Sequence, residues 1–327
     1  MKNILVTGGA GFIGSNFIHH ILKKDPDIQI INLDALTYAG SVGNLNDLPD
    51  QGRHTFVHGN ICDAKEIHGI VRKYSVDTIA HFAAETHVDR SIGAPVDFMQ
   101  ANMLGTFTLL EVARAYGIRF HHVSTDEVYG SLSPGDAPWT EGSPYAPHSP
   151  YSASKAASDH LVRAYGHTYR LAYTITNCSN NYGPRQFPEK LIPLAITNAL
   201  VGRLIPIYGD GKQVRDWLYV GDHCEAIRLV LEKGRIGETY NVGGSNQPTN
   251  LEIIYMLCGI LDELVPLVSG RTYTGLIEHV TDRAGHDRRY AVDSTKIRDE
   301  LGWRATTTLQ EGLMKTVKWY VERTGKW

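Results

Sequence analysis

The chain is poor in cysteine and has no metal-ligand spacing. Its four cysteines are scattered through 327 residues without a Cys-x-x-Cys pair. That argues against a zinc knuckle or a disulfide framework and favours a reducing compartment. The fifteen histidines form no His-Glu-x-x-His or Cys/His ligand pattern, so we predict no metal site.

The chain also lacks an excess of positive charge and a long apolar run. Its formal net charge is -3, so we expect neither nucleic acid nor an anionic membrane as partner. No stretch reaches the ~20 apolar residues that a membrane span requires. Glycines break the first apolar run and no small-residue cleavage site follows it, so a signal peptide is not expected. We predict a cytoplasmic, globular protein, whose 42% hydrophobic residues suffice for a large core.

Short apolar runs alternate with amphipathic stretches through the first half. Strands are predicted at residues 4–6, 28–33, 56–57, 76–82, 120–124, 172–176 and 238–242. Helices are predicted at residues 12–24, 64–74, 98–116, 251–264 and 309–323, with another starting near Tyr151. The alternation predicts an α/β fold, a Rossmann-type doubly wound parallel sheet, with a smaller, discontinuous C-terminal substrate-binding lobe. We assign 1–181 with about 216–242 to the Rossmann domain, and 182–215 with 243–327 to the lobe.

A glycine-rich turn links the first predicted strand to the first helix. Gly8, Gly11 and Gly14 would allow a tight turn and close approach of the backbone to a pyrophosphate at the helix N-terminus. Asp34 ends the second strand, where its carboxylate would accept hydrogen bonds from ribose and repel a 2′-phosphate. This context predicts a dinucleotide site that favours NAD over NADP. The alternative is a purely structural turn with a solvated Asp34.

Tyr151 and Lys155 lie one turn apart on the same helix face. A tyrosine has an ordinary pKa of about 10 and needs a nearby cation to act as a base at neutral pH. With that help it can take the proton of an alcohol while hydride leaves the carbon. On its own the pair is more typical of a helix surface, and the glycine-rich turn upstream is what favours the catalytic interpretation.

Adjacent acids, Asp126 and Glu127, follow the strand at 120–124, at the carboxyl edge of the sheet where ligands bind. Two carboxyls from one turn suit the elimination of water, because one can protonate a leaving hydroxyl while the other removes a carbon-bound proton. The alternative is a solvated acidic turn.

These motifs together resemble the extended short-chain dehydrogenase/reductase superfamily along nearly the whole chain. Within it, Thr-Asp-Glu-Val-Tyr-Gly at 125–130 is similar to the dTDP-glucose 4,6-dehydratase family, a class of lyases that acts in deoxysugar biosynthesis. The other segments that carry the resemblance are residues 83–91, 177–184, 188–193, 206–211, 214–217 and 282–290.

The resemblance implies a role for each catalytic candidate. Tyr151 would be the base for the sugar C4 hydroxyl, and Lys155 would hold the nicotinamide ribose. Thr125 would hydrogen-bond the hexose, Asp126 would protonate the departing C6 hydroxyl, and Glu127 would remove the C5 proton. Hydride would return to C6, giving dTDP-4-keto-6-deoxyglucose with no net redox change.

The resemblance also implies two sets of binding residues and a dimer. Residues expected at the NAD cofactor, besides Tyr151 and Lys155, are Gly8, Gly11, Phe12, Ile13, Gly14, Asp34, Leu36, Thr37, Asn60, Ile61, Phe82, Ala83, Ala84 and Asn181. Residues expected at the nucleotide-sugar substrate are Thr86, His87, Thr125, Asn180, Lys190, Leu191, Pro206, Ile207, Tyr208, Arg215, Asn250, Asp282, Arg283 and His286. A homodimer is expected through helices 98–116 and 151–169.

Four positions depart from the family pattern: Asn60, Ala101, Arg185 and Gly221. Arg185 lies near the expected substrate loop and leaves the exact sugar nucleotide open. The alternatives are a dehydratase or epimerase that acts on a UDP-linked hexose, and a non-catalytic NAD-sensing protein with this fold. The Asp126–Glu127 pair disfavours an epimerase. A sensor would not need these two acids together with Tyr151 and Lys155.

Overall fold

Seven parallel strands form the central sheet of a computed structural model that describes residues 1–268, 270–282 and 286–323. The strands of the chain, in order, are β1 (Asn3–Thr7), β2 (Gln29–Asp34), β3 (His54–His58), β4 (Thr78–His81), β5 (Arg119–Thr125), β6 (Tyr173–Cys178), β7 (Asn180–Tyr182), β8 (Ile205–Tyr208), β9 (Trp217–Tyr219), β10 (Thr239–Val242) and β11 (Ile277–Val280). The large sheet has the order β3-β2-β1-β4-β5-β6-β10. Each of its seven strands overlaps a predicted one, and the Rossmann-type α/β fold is confirmed.

Helices cover both faces of this sheet and build the second lobe. They are α1 (Phe12–Lys24), α2 (Ala64–Tyr74), α3 (Val88–Gly93), α4 (Pro95–Phe98), α5 (Thr106–Tyr116), α6 (Pro150–Tyr169), α7 (Leu191–Leu200), α8 (Val220–Lys233), α9 (Asn250–Leu264), α10 (Thr295–Leu301) and α11 (Leu309–Val321). The helix predicted at 98–116 is interrupted, because Met99–Gly105 forms a π-helical stretch before α5. The predicted helix near Tyr151 begins at Pro150, where Ser149 and Ser152 form a capping box.

Side chains of β1 alternate between two cores, one on each face of the sheet. Ile4 and Val6 pack with α1 and α8, whereas Leu5 packs with α2, α5 and α6. Successive residues of a strand point to opposite faces, so a sheet that is covered on both sides reads as a continuous apolar run. The βαβ units that the alternation of strands and helices predicts place helices on both faces of the sheet, so they account for this apolar run.

The second half of the chain adds a further apolar core. It unites Tyr182 and Trp217 with buried residues of α7, β8, α9 and α11. Two-stranded sheets, β8 with β11 and β7 with β9, border this core. The short strand β7 and the helices α7 and α8 were not predicted. The proposed boundaries of the two lobes stay a prediction.

Two structural absences concern the described residues. None of their helices combines the length and apolar character that a membrane crossing requires. Among the same residues, no group of three or more His, Cys, Asp or Glu side chains is arranged to hold a metal ion.

Candidate active site

A cleft opens at the carboxyl edge of the sheet, where β1 and β4 lie side by side. The connection from β1 runs towards β2 and β3, whereas the strands after β4 continue in the opposite direction, so the strand order reverses here. Such a switch point is where open α/β sheets bind ligands. Two cavities of about 230 and 390 Å³ share the walls formed by Phe12, Ile13, Phe82 and Ala84 and form one continuous cleft.

The smaller cavity is built around the glycine-rich turn. Gly8 has φ +74°, and a Cβ there would lie 2.6 Å from the backbone nitrogen of Ala83. A Cβ at Gly14 would lie 2.3 Å from the Gly8 carbonyl oxygen. Helix α1 follows, and no side chain caps its first turn at Gly11. The turn is therefore compatible only with glycine at these two positions, and the N–H groups at the start of α1 are available to an anion.

Asp34 ends β2 at the rim of this cavity. Its Oδ2 accepts a hydrogen bond from the Ala10 N–H, and its Oδ1 accepts one from the Leu36 N–H, both at 2.8 Å. A carboxylate has about four lone-pair sites, so each oxygen can still accept a ribose hydroxyl. The two backbone bonds orient the carboxylate in advance.

Most of the residues expected at the cofactor line the cleft. The smaller cavity contains Gly8, Gly11, Phe12, Ile13, Gly14, Asp34, Thr37, Ile61, Phe82, Ala83, Ala84 and also Ala101, and the larger one contains Asn181, Tyr151 and Lys155. Two of the expected cofactor residues, Leu36 and Asn60, do not line the cleft. The Leu36 side chain packs on the core beside α1, and Asn60 accepts the Cys62 N–H with its own side chain.

The acidic pair stands on a single 3-10 turn, Asp126–Tyr129, directly after β5. The Thr125 hydroxyl accepts the Glu127 N–H and so fixes the start of the turn. Asp126 is buried, and burial, followed by the charges of Glu127 and Asp216, raises its pKa well above the usual range. Its Oδ2 has no hydrogen-bond partner among the described residues. The surroundings of Asp126 thus favour its protonated form, and Glu127 lines the larger cavity beside it.

Tyr151 and Lys155 project from the first turns of α6 into the same cavity. Burial, followed by the charge of Glu127, raises the pKa of the Tyr151 phenol, and a hydrogen bond with Thr125 opposes that rise. Lys155 Nζ donates a 2.8 Å hydrogen bond to the Val123 carbonyl. Lys155 is not among the groups that shift the pKa of the phenol here, so the expectation that nearby positive charge lowers it stays a prediction.

The sugar-nucleotide candidates gather at the far end of the larger cavity. Its wall contains Thr86, His87, Thr125, Asn180, Lys190, Leu191, Pro206, Tyr208, Arg215, Asn250 and His286. Arg215 donates to the backbone carbonyls of Val214 and Asp287, and its guanidinium lies 4.4 Å above the ring of Tyr290. This buried cation is held in place by the second lobe.

Three substrate candidates have a different outcome. The side chain of Ile207 is buried in the second core and does not line the cavity, so its expected contact with substrate stays a prediction. Asp282 does not line the cavity, but its carboxylate pairs with His286 Nδ1 at 2.6 Å and orients that imidazole. Arg283 lies outside the described residues.

Arg185 does not face the cleft, contrary to the expectation from its sequence position. Both oxygens of Asp47 accept hydrogen bonds from Arg185 Nη2 at 3.0 Å, and the Asn44 carbonyl accepts one from Nε at 3.2 Å. The guanidinium fastens the loop after β7 to the loop after β2. It therefore contacts the protein on the outer side of the cofactor cavity.

Sequence reasoning missed several residues of the cleft. Gln186, Glu189 and Cys178 line it, and Glu189 accepts a 2.9 Å hydrogen bond from the Tyr38 hydroxyl across the cleft rim. Glu189 lies in the matched segment 188–193 and could have been selected as an acid next to Lys190. The position of Tyr38, 151 residues away, depends on the fold and has no local signal.

Comparison with known proteins places these features in a family context. The model of a family described as GDP-mannose 4,6 dehydratase matches residues 5–316. A dTDP-glucose 4,6-dehydratase of Neisseria gonorrhoeae is 54% identical, over 98% of this chain and 96% of the relative. The crystal structure of DesIV, a dTDP-glucose 4,6-dehydratase from Streptomyces venezuelae with NAD and TYD bound, is 48% identical, with a TM-score of 0.93 over 100% of this chain and 99% of that one. A UDP-glucose 4-epimerase from Thermotoga maritima is 30% identical, with a TM-score of 0.88 over 99% of this chain and 100% of the other.

Proposed function

The chain belongs to the GDP-mannose 4,6 dehydratase family, and we propose that it acts there as an NAD-dependent dTDP-glucose 4,6-dehydratase, a hydro-lyase. It converts dTDP-glucose to dTDP-4-keto-6-deoxyglucose by oxidation at C4, loss of water across C5 and C6, and reduction at C6. The observation that supports this function best is the acidic pair, in which burial raises the pKa of Asp126 and both carboxyl groups line the cleft. Elimination needs one acid and one base at the same place.

The smaller cavity fits the dinucleotide that this chemistry requires. A Cβ at Gly8 or Gly14 would clash with neighbouring backbone, so glycine preserves the shape of the turn that lines this cavity, and the Asp34 carboxylate lines it too. NAD⁺ bound there would supply the oxidant for C4 and the hydride for C6, and the positive charge of its ring would favour the Tyr151 phenolate. Asp34 would disfavour a 2′-phosphate, in keeping with NAD as the cofactor.

Tyr151 takes the proton of the C4 hydroxyl in the first step. Burial raises the pKa of this phenol, so it needs positive charge nearby before it can act as a base. Thr125 hydrogen-bonds the phenol and lies one residue before the acid, so a single strand end orients both groups. Lys155 supplies a cation from the next helical turn and holds the nicotinamide ribose.

Glu127 and Asp126 then perform the elimination. The new C4 ketone makes the C5 proton acidic, and Glu127 removes it. Asp126 donates its proton to the C6 hydroxyl, which leaves as water and gives a conjugated enone on the sugar. The raised pKa of Asp126 is what an acid needs in order to hold its proton at neutral pH.

The second lobe binds the nucleotide diphosphate. Arg215 lies at the cleft wall with its guanidinium fixed by two carbonyls, and His286 is oriented by Asp282. A guanidinium can hold phosphate oxygens in a bidentate manner, and the half-exposed ring of Tyr208 can stack on the base. The observed charges fit a diphosphate and do not by themselves select the base.

The alternatives are less well supported. A UDP-hexose 4-epimerase shares the fold, but an epimerase needs no buried acid next to a second carboxylate, and the relatives of higher identity are dehydratases. A non-catalytic NAD-binding protein would have no use for a protonated Asp126 aimed into the cleft.

An isotope experiment tests the proposed function. With dTDP-glucose deuterated at C4, deuterium should appear at C6 of the product without added reduced cofactor. In deuterated water, unlabelled substrate should gain deuterium at C5. A C6 hydrogen that comes from solvent would contradict the mechanism. Parallel turnover of dTDP-glucose, UDP-glucose and UDP-N-acetylglucosamine then identifies the preferred nucleotide.

We further propose a homodimer that works in the cytoplasm. Val96, Leu104 and Phe107 expose 63%, 49% and 41% of their surface along the stretch that leads into α5, and Tyr169 exposes 49% at the end of α6. Apolar side chains grouped in this way favour burial against a second copy. All four cysteines are unpaired, which fits a reducing compartment. Sedimentation of the wild type and of the Leu104→Asp variant tests whether the protein is a dimer through this surface. Cell fractionation tests its location in the cytoplasm.

A further inference from the structure

A cluster of buried ionisable side chains lies beneath Lys155, on the side that faces the protein interior. Lys155 Nζ lies 3.4 Å from His122 Nε2, and His122 Nε2 lies 3.3 Å from Asp159 Oδ1. Both His122 and Asp159 have side chains with no exposed surface. The three side chains thus form a series, from the Lys155 ammonium at the cleft, through the His122 imidazole, to the Asp159 carboxylate in the core.

Lys155 needs a compensating negative charge, because a buried ammonium is costly without one. The titratable and charged groups around it are His81 on β4, His122 on β5, Asp126 and Glu127 on the following turn, Tyr151, Asp159 and Arg163 on α6, and Cys178 on β6. Burial lowers the pKa of His122 to about 4 and raises that of Cys178 to about 12, so both are neutral at pH 7. Glu127 lies on the cleft side, so Asp159 is the carboxylate on the interior side.

Asp159 is built into the protein as a carboxylate. Its Oδ2 accepts hydrogen bonds from the Ser124 hydroxyl at 2.9 Å and from the Tyr145 hydroxyl at 2.8 Å. Burial alone would raise its pKa, but His122, Lys155 and these donors hold the pKa below the usual value. The group is one helical turn beyond Lys155 on the same face of α6.

We propose that Asp159 is a positioning residue for the reaction, the counter-ion that keeps Lys155 charged and in place at the cleft, with neutral His122 between them. The proposal rests on the role that the proposed function gives to Lys155. Burial lowers the pKa of Lys155 to about 8, and Asp159 opposes that shift. Lys155 is therefore only just protonated at neutral pH, and the loss of a nearby opposite charge would lower its pKa by a further ~1–3 units.

Stability measured against pH tests the charge coupling without reference to activity. A lysine whose pKa is lower in the folded state makes the protein more stable as pH rises from the folded value to the unfolded value. In the wild-type holoenzyme this rise begins near pH 8. In Asp159→Asn it should begin lower, so the deficit in Tm relative to wild type should shrink by about 2 °C or more between pH 6 and 8.

Tyr145→Phe is the matched control, because it removes a hydrogen bond to the same Asp159 oxygen and leaves the charge in place. Its Tm deficit should not change over this pH range. Parallel curves for Asp159→Asn and Tyr145→Phe would overturn the proposal. If Asp159→Asn does not fold, the double variant with Lys155→Met should restore folding, because it removes the uncompensated charge. A double variant that also fails to fold would count against the proposal.

Turnover against pH separates the counter-ion role from the proposed function. In Asp159→Asn, kcat should fall as pH rises from 6 to 8, whereas wild-type kcat should fall only above about 8. A Tm response without this change in kcat would retain Asp159 as the counter-ion and remove the catalytic role of Lys155. A change in neither measurement would overturn the proposal itself.

Discussion

The two ends of the cleft differ in which part of the protein makes the critical contacts. At the dinucleotide end the critical contacts come from the backbone, because any Cβ at Gly8 or Gly14 would clash with neighbouring backbone atoms. At the sugar end they come from buried ionisable side chains, Asp126, Tyr151 and Lys155, whose pKa values burial has moved from their usual values. The first end should therefore respond to added atoms, and the second to changes of charge that leave shape intact.

The largest effect is expected from an isosteric change at the sugar end. Glu127→Gln keeps the shape of the side chain and removes the base for C5, so elimination should slow by about 10²–10⁴-fold. Oxidation at C4 should be affected less, so a 4-keto sugar and reduced cofactor should accumulate in single-turnover absorbance measurements. Asp126→Asn should slow elimination on the same scale by removing the acid for the C6 hydroxyl. Normal turnover by either variant would refute its assigned role.

The next effect tests the dinucleotide end by adding one methyl group. Gly14→Ala places a Cβ 2.3 Å from the Gly8 carbonyl, so the turn must shift away from its phosphate-binding shape. We expect NAD affinity, measured by calorimetry, to fall by about 10-fold or more, the scale of 1–3 kcal/mol that overpacking costs.

Gly69→Ala provides the matched control within helix α2. A Cβ at Gly69 has no atom within 4 Å, so this variant should be more stable by about 0.5–1 kcal/mol, because alanine loses less conformational entropy in a helix. Its NAD affinity should equal that of wild type. Equal NAD affinity in Gly14→Ala would mean that the turn does not hold the pyrophosphate.

A smaller effect is expected at Arg215, where the cleft meets the second lobe. Arg215→Ala removes a guanidinium that lines the wall, so KM for dTDP-glucose should rise by about 10-fold or more, while kcat changes less. Arg215→Lys, which keeps the charge and loses the planar fork, should lie between. Thermal unfolding of both variants shows whether the loss of the hydrogen bonds to Val214 and Asp287 also lowers the stability of the fold. An unchanged KM in a folded Arg215→Ala enzyme would remove the residue from the diphosphate site.

Local patterns were sufficient for the parts of the molecule that depend on neighbours in sequence. The strand–turn–helix around Gly8, the acid pair after β5, and the Tyr151–Lys155 spacing each lie within one βα unit, and the structure places them on one cleft. The pairing of Tyr38 with Glu189 and the contact of Asp159 on α6 with His122 on β5 depend on segments that are distant in sequence. Periodicity does not encode such contacts. Ile207 is a different case, because the alternation along β8, which places Ile207 in the core, is a local pattern.

Arg185 is where sequence position misled most, and it carries the smallest expected effect. Its guanidinium bonds Asp47 and the Asn44 carbonyl, and the Asn44 side chain in turn donates a 2.9 Å hydrogen bond to the Ala10 carbonyl of the glycine-rich turn. Arg185→Tyr should therefore leave the ratio of kcat/KM for dTDP-glucose and UDP-glucose unchanged. Release of NAD should become at most about 5-fold faster, because a partly exposed ion pair is worth about 1 kcal/mol or less.

Asp47→Asn is the partner variant that decides where this effect comes from. It weakens the same contact from the other side, so both single variants and the double variant should release NAD at similar rates in a stopped-flow measurement. High salt should reduce the difference from wild type, because about half of the Asp47 side chain is exposed to solvent. A changed nucleotide preference in Arg185→Tyr but not in Asp47→Asn would return Arg185 to the substrate side of the cleft. It would also mean that the two ends of the cleft are less separate than their construction indicates.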